Sequence, residues 1–203
     1  MHIVCSDLEG VFVPEIWIGV SRETGIDELK LTTRDISDYD VLMKRRIGIL
    51  KENGLKLKDI QNVISKLRPL PGALEFLNWL RTELQVIIVS DTFTEFAGPL
   101  MKQLGYPSIF CHNLITDSSG SITGYKLRQT DSKKKVAAAL QSLNYGVIAV
   151  GDSYNDLSMI RQANKGVLFN PPDSIAAENK DLKVVSSYDE LKKEIELTIN
   201  NSF

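Results

Sequence analysis

Three short, unbroken apolar runs punctuate the chain, each closing on small or acidic residues: Ile3-Val4-Cys5-Ser6-Asp7, Val86-Ile87-Ile88-Val89-Ser90-Asp91 and Val147-Ile148-Ala149-Val150-Gly151-Asp152. Runs of this length, rich in β-branched residues and without polar alternation, predict strands buried on both faces of a parallel sheet. Elsewhere the apolar positions recur every three or four residues, which predicts helices over Ala73 to Leu84, Glu95 to Leu104, Lys133 to Leu143, Asn155 to Ala163 and Tyr188 to Ile199. Strand alternating with helix points to an α/β fold with right-handed crossovers. From Ile109 to Tyr125 the rhythm changes, because Thr116-Asp117-Ser118-Ser119-Gly120 separates two strand-like pieces; a β-hairpin is expected there.

The stretch from Pro14 to Arg68 holds no buried strand. Its helical spacing runs from Glu15 to Glu23, from Tyr39 to Asn53, where Gly54 stops it, and from Leu57 to Leu67. At about 55 residues it exceeds an ordinary crossover. Residues 14–68 therefore read as a helical cap inserted after the first strand, with Pro69-Leu70-Pro71-Gly72 as the return hinge and 1–13 plus 69–203 as the core.

Composition narrows the field. The chain has 203 residues, 24 basic against 26 acidic, so nothing favours a nucleic-acid or anionic-membrane partner. No apolar stretch approaches the ~18 residues of a membrane span. The first residues enter a strand-like run that meets a charge at Asp7, unlike a signal peptide, and a cytoplasmic protein is expected. Cys5 and Cys111 are too few for a thiolate metal cage and read as buried small hydrophobes.

Ligands of open α/β sheets bind beyond the carboxyl ends of the strands, so Asp7, Ser90 and Asp152 are expected to meet at one edge. Residues two apart on an extended chain face the same way, which puts Asp7 and Glu9 in one pocket. Such a pair is tolerable if a cation shares it or one member keeps a proton; otherwise it is two exposed acids in a loop. The Ser90-Asp91-Thr92 segment offers a hydroxyl and backbone N–H groups to phosphate oxygens, or simply ends a strand in a turn. Asp152 and Asp156 stand four apart in Gly151-Asp152-Ser153-Tyr154-Asn155-Asp156, hard oxygen ligands that suit Mg²⁺. Lys133 opens a helix, where the dipole disfavours a cation. It makes sense there if it pairs with an anion, and otherwise belongs to a solvated Lys133-Lys134-Lys135 run.

In that order, these motifs resemble the four motifs of the haloacid dehalogenase superfamily, whose core is a Rossmann-like parallel sheet. The chain is most similar to its phosphoserine phosphatase branch, in particular to the bifunctional members that also transfer phosphate from phosphoserine to homoserine. The segments Asp7 to Trp17, Asp40 to Lys44, Val89 to Phe93 and Gly151 to Asp156 carry that similarity. Glu9 stands where the superfamily usually has Asp; the bifunctional members resemble this chain in having Glu.

The resemblance implies an enzyme of amino-acid biosynthesis in which Asp7 attacks phosphorus. Mg²⁺ would be held by Asp7, Asp152 and the backbone carbonyl of Glu9, and Glu9 would exchange protons with the leaving and incoming alcohols. Ser90, the Asp91 N–H, Lys133 and Asn155 would hold phosphoryl oxygens, while Glu15 and Arg46 match the contacts to substrate. Without the resemblance, Glu15 could merely complement a helix N-terminus and Arg46 be one more exposed cation beside Lys44 and Arg45. Trp17 and Phe12 read as packing. The competing readings are a phosphatase for a nucleotide or sugar phosphate, and a phospho-accepting receiver module, which would lack the cap and the second acid.

Overall fold

The computed structural model describes residues 1–32, 35–36 and 38–201; positions 33, 34 and 37 of the expected cap and 202–203 of the expected core lie outside that description. Strand β1 (His2–Ser6) is followed by three inserted helices, α1 (Ile16–Thr24), α2 (Tyr39–Glu52) and α3 (Leu57–Lys66). The chain returns through α4 (Ala73–Glu83), β2 (Gln85–Phe93), α5 (Thr94–Gln103) and the pair β3 (Ser108–Thr116) and β4 (Ile122–Lys126). It closes with α6 (Ser132–Ser142), β5 (Gly146–Gly151), α7 (Leu157–Gln162), β6 (Lys165–Phe169), α8 (Asp173–Glu178), β7 (Lys183–Val185) and α9 (Tyr188–Asn200).

These strands form one seven-stranded sheet in the order β4-β3-β2-β1-β5-β6-β7, parallel except for β4. The three apolar runs are its central strands. Their side chains alternate between two cores, as a parallel sheet covered on both faces requires. Val4 packs with residues of α4, α5 and α9, such as Leu77, Leu100 and Leu191, while Ile3 and Cys5 pack with Val136, Ile160 and Ile175 of α6, α7 and α8. Burial of each such aliphatic side chain contributes roughly 1.5–3 kcal/mol.

The expected hairpin is present as β3–β4, its turn held by the Asp117 carboxylate accepting the N–H groups of Ser119 and Ser121. The sequence reading did not include β6 and β7. Each offers only two or three consecutive apolar residues, too few for a periodic signal, and each forms because it adds to an existing edge. The helix expected from Asn155 begins instead as a 3-10 turn, Tyr154–Asp156, and becomes α-helical at Leu157. Cys5 is buried, whereas Cys111 is only partly so.

The inserted helices pack into the core above the carboxyl ends of the strands. Ile16, Val20, Met43, Leu50 and Ile64 join the apolar cluster of α4 and α5. Polar contacts stitch them down: Leu57 N–H donates to the Gly120 carbonyl at 3.0 Å, Tyr125 O–H to Asp40 at 2.6 Å, and Gln61 to the Glu95 carbonyl at 2.8 Å.

Candidate active site

Asp7 leaves the end of β1 with its N–H bonded to the Val150 carbonyl of β5, and the chain then turns sharply so that Phe12 N–H reaches the Leu8 carbonyl. Gly10 makes that turn possible. Its φ is +76°, and a Cβ there would lie 2.4 Å from the Asp152 carboxyl. A β-bulge does the same service on β2: Val89 pairs with Phe110 and Phe93 with His112, so Ser90, Asp91 and Thr92 swing out of the ladder toward β1. The Ser90 hydroxyl accepts the Thr92 N–H, leaving its own proton free to donate.

One cavity of about 100 Å³ brings together Asp7, Glu9, Glu15, Arg46, Ser90, Asp91, Lys133 and Asn155, eight of the expected site residues, in its lining. Asp152 lies behind that wall. Asp7, Asp152 and Asp156 are buried, and each presents a carboxylate oxygen within 4.8 Å of the others. Lys133, 2% exposed in the first turn of α6, sits among the acids with its ammonium 3.0 Å from Asp7, 2.6 Å from Asp156 and 3.7 Å from Asp91. That is the anionic company its place at a helix start demanded. Burial would discharge Lys133, but Asp156, Asp7 and Asp91 together push its pKa well above the ordinary lysine value.

Asp156, which the spacing paired with Asp152 as an oxygen ligand but the resemblance left without a role, is taken up by other partners. One oxygen takes the Lys133 ammonium, and the other accepts the N–H groups of Asp152 and Ser153. Fully buried, it shapes the loop from beneath, and Gly151 is glycine because a Cβ would meet the Asp156 side chain at 2.3 Å. Asp7 differs. Its buried Oδ1 has the Lys133 ammonium 3.0 Å away as an ion pair but no partner in hydrogen-bond geometry, and burial, with Asp156 next, drives its pKa well above the carboxylate range. Asp7, Asp91 and Asp156 share the Lys133 ammonium, and Asp152 adds a further carboxylate within 4.8 Å of Asp7 and Asp156, so acids outnumber the buried cation at this point. Oxygen donors in that balance fit a small divalent cation.

Glu9 reaches the other way, toward the inserted helices. Its Oε2 accepts the Ile16 N–H, the first of α1, at 2.8 Å, so a proton on the carboxyl belongs to Oε1. Burial first, and Glu15 second, push its pKa up to about 8. Arg46 is buried on α2, whereas Arg45 is exposed. The Arg46 guanidinium donates to the Leu31 carbonyl at 2.7 Å and lies 4.5 Å over the Trp17 ring, but its Nε is buried without a hydrogen-bond partner. Burial lowers its pKa to about 10. Trp17 is thus both packing and platform; Phe12 is packing, stacked on Phe76.

Tyr39 and His112 also escaped the sequence reading. Tyr39 O–H donates to the Asp91 carbonyl at 3.1 Å, tying α2 to the bulge. His112, 3% exposed, accepts the Arg128 N–H on Nδ1 at 3.1 Å, which places the ring proton on Nε2, 3.4 Å from the Asp91 carboxylate. Asn155 donates to the other Asp91 oxygen at 2.8 Å. Burial works to raise the Asp91 carboxyl, but Lys133, His112 and Asn155 hold it well below the usual range. On β3, His112 lies two residues before buried Leu114 and so shares its face, a signal visible in the alternation. Among the described residues no helix is long and apolar enough to cross a membrane.

Comparison with known proteins agrees with this geometry. Residues 17–164 match a family of haloacid dehalogenase-like hydrolases. A phosphoserine phosphatase of Pseudomonas syringae pv. tomato is 56% identical over 194 residues, 96% of this chain and 82% of that one. Phosphoserine phosphatase ThrH of Pseudomonas aeruginosa is 56% identical over 96% of this chain and 95% of its own. Among solved structures, a phospho-aspartyl intermediate analogue of phosphoserine phosphatase shares the fold at a TM-score of 0.76, with 22% identity over 95% of this chain and 98% of that one.

Proposed function

The chain belongs to the haloacid dehalogenase-like hydrolases, in their phosphoserine phosphatase branch, and on that premise we propose that it hydrolyses O-phospho-L-serine through a phosphorylated Asp7 and also passes the phosphoryl group to homoserine. The observation that carries the substrate is the pairing of Arg46, buried with an unbonded Nε, and Glu15 in the small cavity that holds Asp7. A phosphomonoester with a carboxylate and an ammonium close together complements that pair.

In this reading 14–68 is the specificity cap and the rest of the chain is the phosphotransfer core. Asp7 attacks phosphorus; the bond to the serine oxygen breaks, and Glu9 gives that oxygen its proton from Oε1. With a pKa of about 8, Glu9 holds the proton at neutral pH. Ser90, the Asp91 N–H, Lys133 and Asn155 hold the phosphoryl oxygens in a geometry fixed beforehand. Water or an alcohol then attacks phosphorus, Glu9 takes back a proton, and Asp7 is released. Asp7, Asp152 and the Glu9 carbonyl would hold Mg²⁺, with Asp156 already committed to Lys133 and the loop. When bound, the cation supplies neutralisation of the repulsion between Asp7 and the incoming phosphate.

Arg46→Ala is the direct test of substrate. Loss of a buried charged hydrogen-bond partner costs about 1.5–3 kcal/mol, so kcat/KM for phosphoserine should fall by roughly 10- to 100-fold. An aryl phosphate without the amino-acid end should change little. Equal losses on both remove the substrate assignment. Chelation should abolish turnover and Mg²⁺ restore it, with a rise in melting temperature on adding the metal; turnover indifferent to chelator rules the cation out.

Glu9→Gln keeps the acceptor for Ile16 N–H and removes the acid, so turnover should fall by ~10²–10⁴ with the fold intact. It also tests the pKa. A carboxyl raised to about 8 on folding favours the folded state most at low pH, and that contribution is lost as pH rises from its unfolded value toward 8. Denaturant titrations should show wild-type stability declining across this window and Glu9→Gln declining less. Parallel curves for the two proteins would place the Glu9 pKa elsewhere.

A further inference from the structure

His112 is buried behind Asp91, a lining residue of the reaction cavity, and the steps above give it no task. We propose that His112 is a positioning residue for phosphoryl transfer: it fixes the Asp91 carboxylate, and Asp91 in turn holds the Asn155 amide and the Lys133 ammonium where they receive the phosphoryl oxygens. The inference rests on the phosphoryl contacts proposed above and applies to any phosphomonoester the cavity takes.

Asp91 sets the orientation of Asn155. An ionised carboxylate can only accept hydrogen bonds, so the Asn155 group 2.8 Å from Asp91 is its NH2 and not its carbonyl. On the other side the Ser153 hydroxyl donates to the Asn155 carbonyl oxygen. One N–H of the amide is thus spent on Asp91, and the second is available to a phosphoryl oxygen. The Asp91 oxygen that accepts from Asn155 also lies 3.7 Å from the Lys133 ammonium, so one carboxylate position governs two of the groups that meet the phosphate. Burial works against the Asp91 charge; Lys133, His112 and Asn155 outweigh it.

Asp91 needs support because it stands at an open boundary. Its side chain is 30% exposed and borders both the reaction cavity and a wider, solvent-open chamber of about 640 Å³ that His112 and Leu127 also line. Water in that chamber competes for the carboxylate, and a carboxylate turned outwards would release Asn155 and Lys133. The second Asp91 oxygen is the one that His112 meets, with Nε2 3.4 Å away. His112 cannot follow it outwards. Its Nδ1 accepts the Arg128 N–H at 3.1 Å, and its ring packs against Phe93 with centroids 6.4 Å apart, the two residues being direct partners across β2 and β3. The main chain at Asp91 is held separately, by the Tyr39 O–H on its carbonyl, so what depends on His112 is the direction of the carboxylate. Donors fixed before the phosphate arrives need no reorganisation during transfer, which is how a residue one step back from the phosphate affects the rate.

Two substitutions separate the functions of the ring. His112→Gln carries an amide N–H toward Asp91, whereas His112→Asn is too short for that and keeps only an acceptor for the Arg128 N–H. kcat/KM is measured for phosphoserine and for an aryl phosphate, with inorganic phosphate as competitive inhibitor. His112→Asn should lose about tenfold on both esters and weaken phosphate inhibition, because the disturbed contacts are those of the shared phosphoryl group; His112→Gln should restore most of the loss. Asp91→Ala should show a similar loss, and adding His112→Asn to Asp91→Ala should cost less than about twofold more. Losses that multiply in the double variant, a loss confined to phosphoserine, or equal damage from His112→Gln and His112→Asn would each overturn the proposal. Tighter phosphate binding in Asp91→Ala would overturn it too, since the carboxylate would then only repel phosphate. If His112→Asn does not fold, Asp91→Ala decides: a uniform loss there, with His112→Gln near its parent, supports the proposal, and unchanged kinetics overturns it. An enzyme inactive on phosphoserine but active on the aryl phosphate would end the substrate assignment alone, and the aryl phosphate and inorganic phosphate measurements would still decide the role of His112.

Discussion

Asp7→Asn is expected to stop turnover, by at least ~10⁴-fold, and to leave a protein no less stable than its parent. The two outcomes have one cause. Asp7 is buried beside Asp152 and Asp156, and burial together with Asp156 pushes its pKa well above the carboxylate range, so its charge is a burden on the metal-free fold. Asparagine keeps the shape and removes that charge, and Lys133 keeps Asp156 at 2.6 Å. What is lost is the nucleophile. No phosphoenzyme should be trapped by rapid acid quench, and the metal-free melting temperature should hold or rise. Asp7→Glu should also fail, since displacing a reacting atom by about 1 Å costs on the order of 10²-fold. Substantial turnover in Asp7→Asn would mean that water attacks phosphate directly, and the aspartyl-phosphate route would be gone.

Lys133→Met carries the second large effect, this time on both fold and activity. Removing the ammonium leaves Asp7, Asp156 and Asp91 facing one another without the cation that now lies within 4 Å of all three. Breaking a buried ion pair from one side costs about 3–5 kcal/mol, which denaturant unfolding would register. Turnover should fall by ~10²–10³, the scale of losing one fixed charge on the phosphoryl oxygens. Adding Asp156→Asn separates the roles: it removes the most closely paired of the stranded carboxylates and should recover part of the stability, with turnover still low. Recovery of both together would make Lys133 a structural residue only.

Much of this site was legible because phosphoryl chemistry at a strand edge uses local signatures. Asp7 and Glu9 alternate on one extended segment, Ser90 ends an apolar run, and Gly151 and Asp152 end another. Register placed them side by side, since β1 pairs with both β2 and β5. Lys133 stood out as a cation at the wrong end of a helix. Asp156 read beside Asp152 as an oxygen ligand for Mg²⁺, because four residues of spacing say nothing about whether a carboxylate faces the cavity or turns under its own loop to meet Lys133. Arg46 against Arg45 was decided by helix rotation: Leu42 and Leu50 are buried four residues to either side of Arg46, and the face they share carries it inward.

From the chain alone came the central strands and the longer helices, their alternation, the long helical insert and the set of polar residues able to handle phosphate, because periodicity and turn chemistry act over a few residues. The partners of each charge came only from the tertiary structure: Glu9 beneath the first N–H of α1, His112 against Asp91, and Lys133 among Asp7, Asp91 and Asp156. These depend on segments far apart in sequence meeting where water is excluded. There a charge is governed by its nearest neighbours across space, which no local pattern encodes.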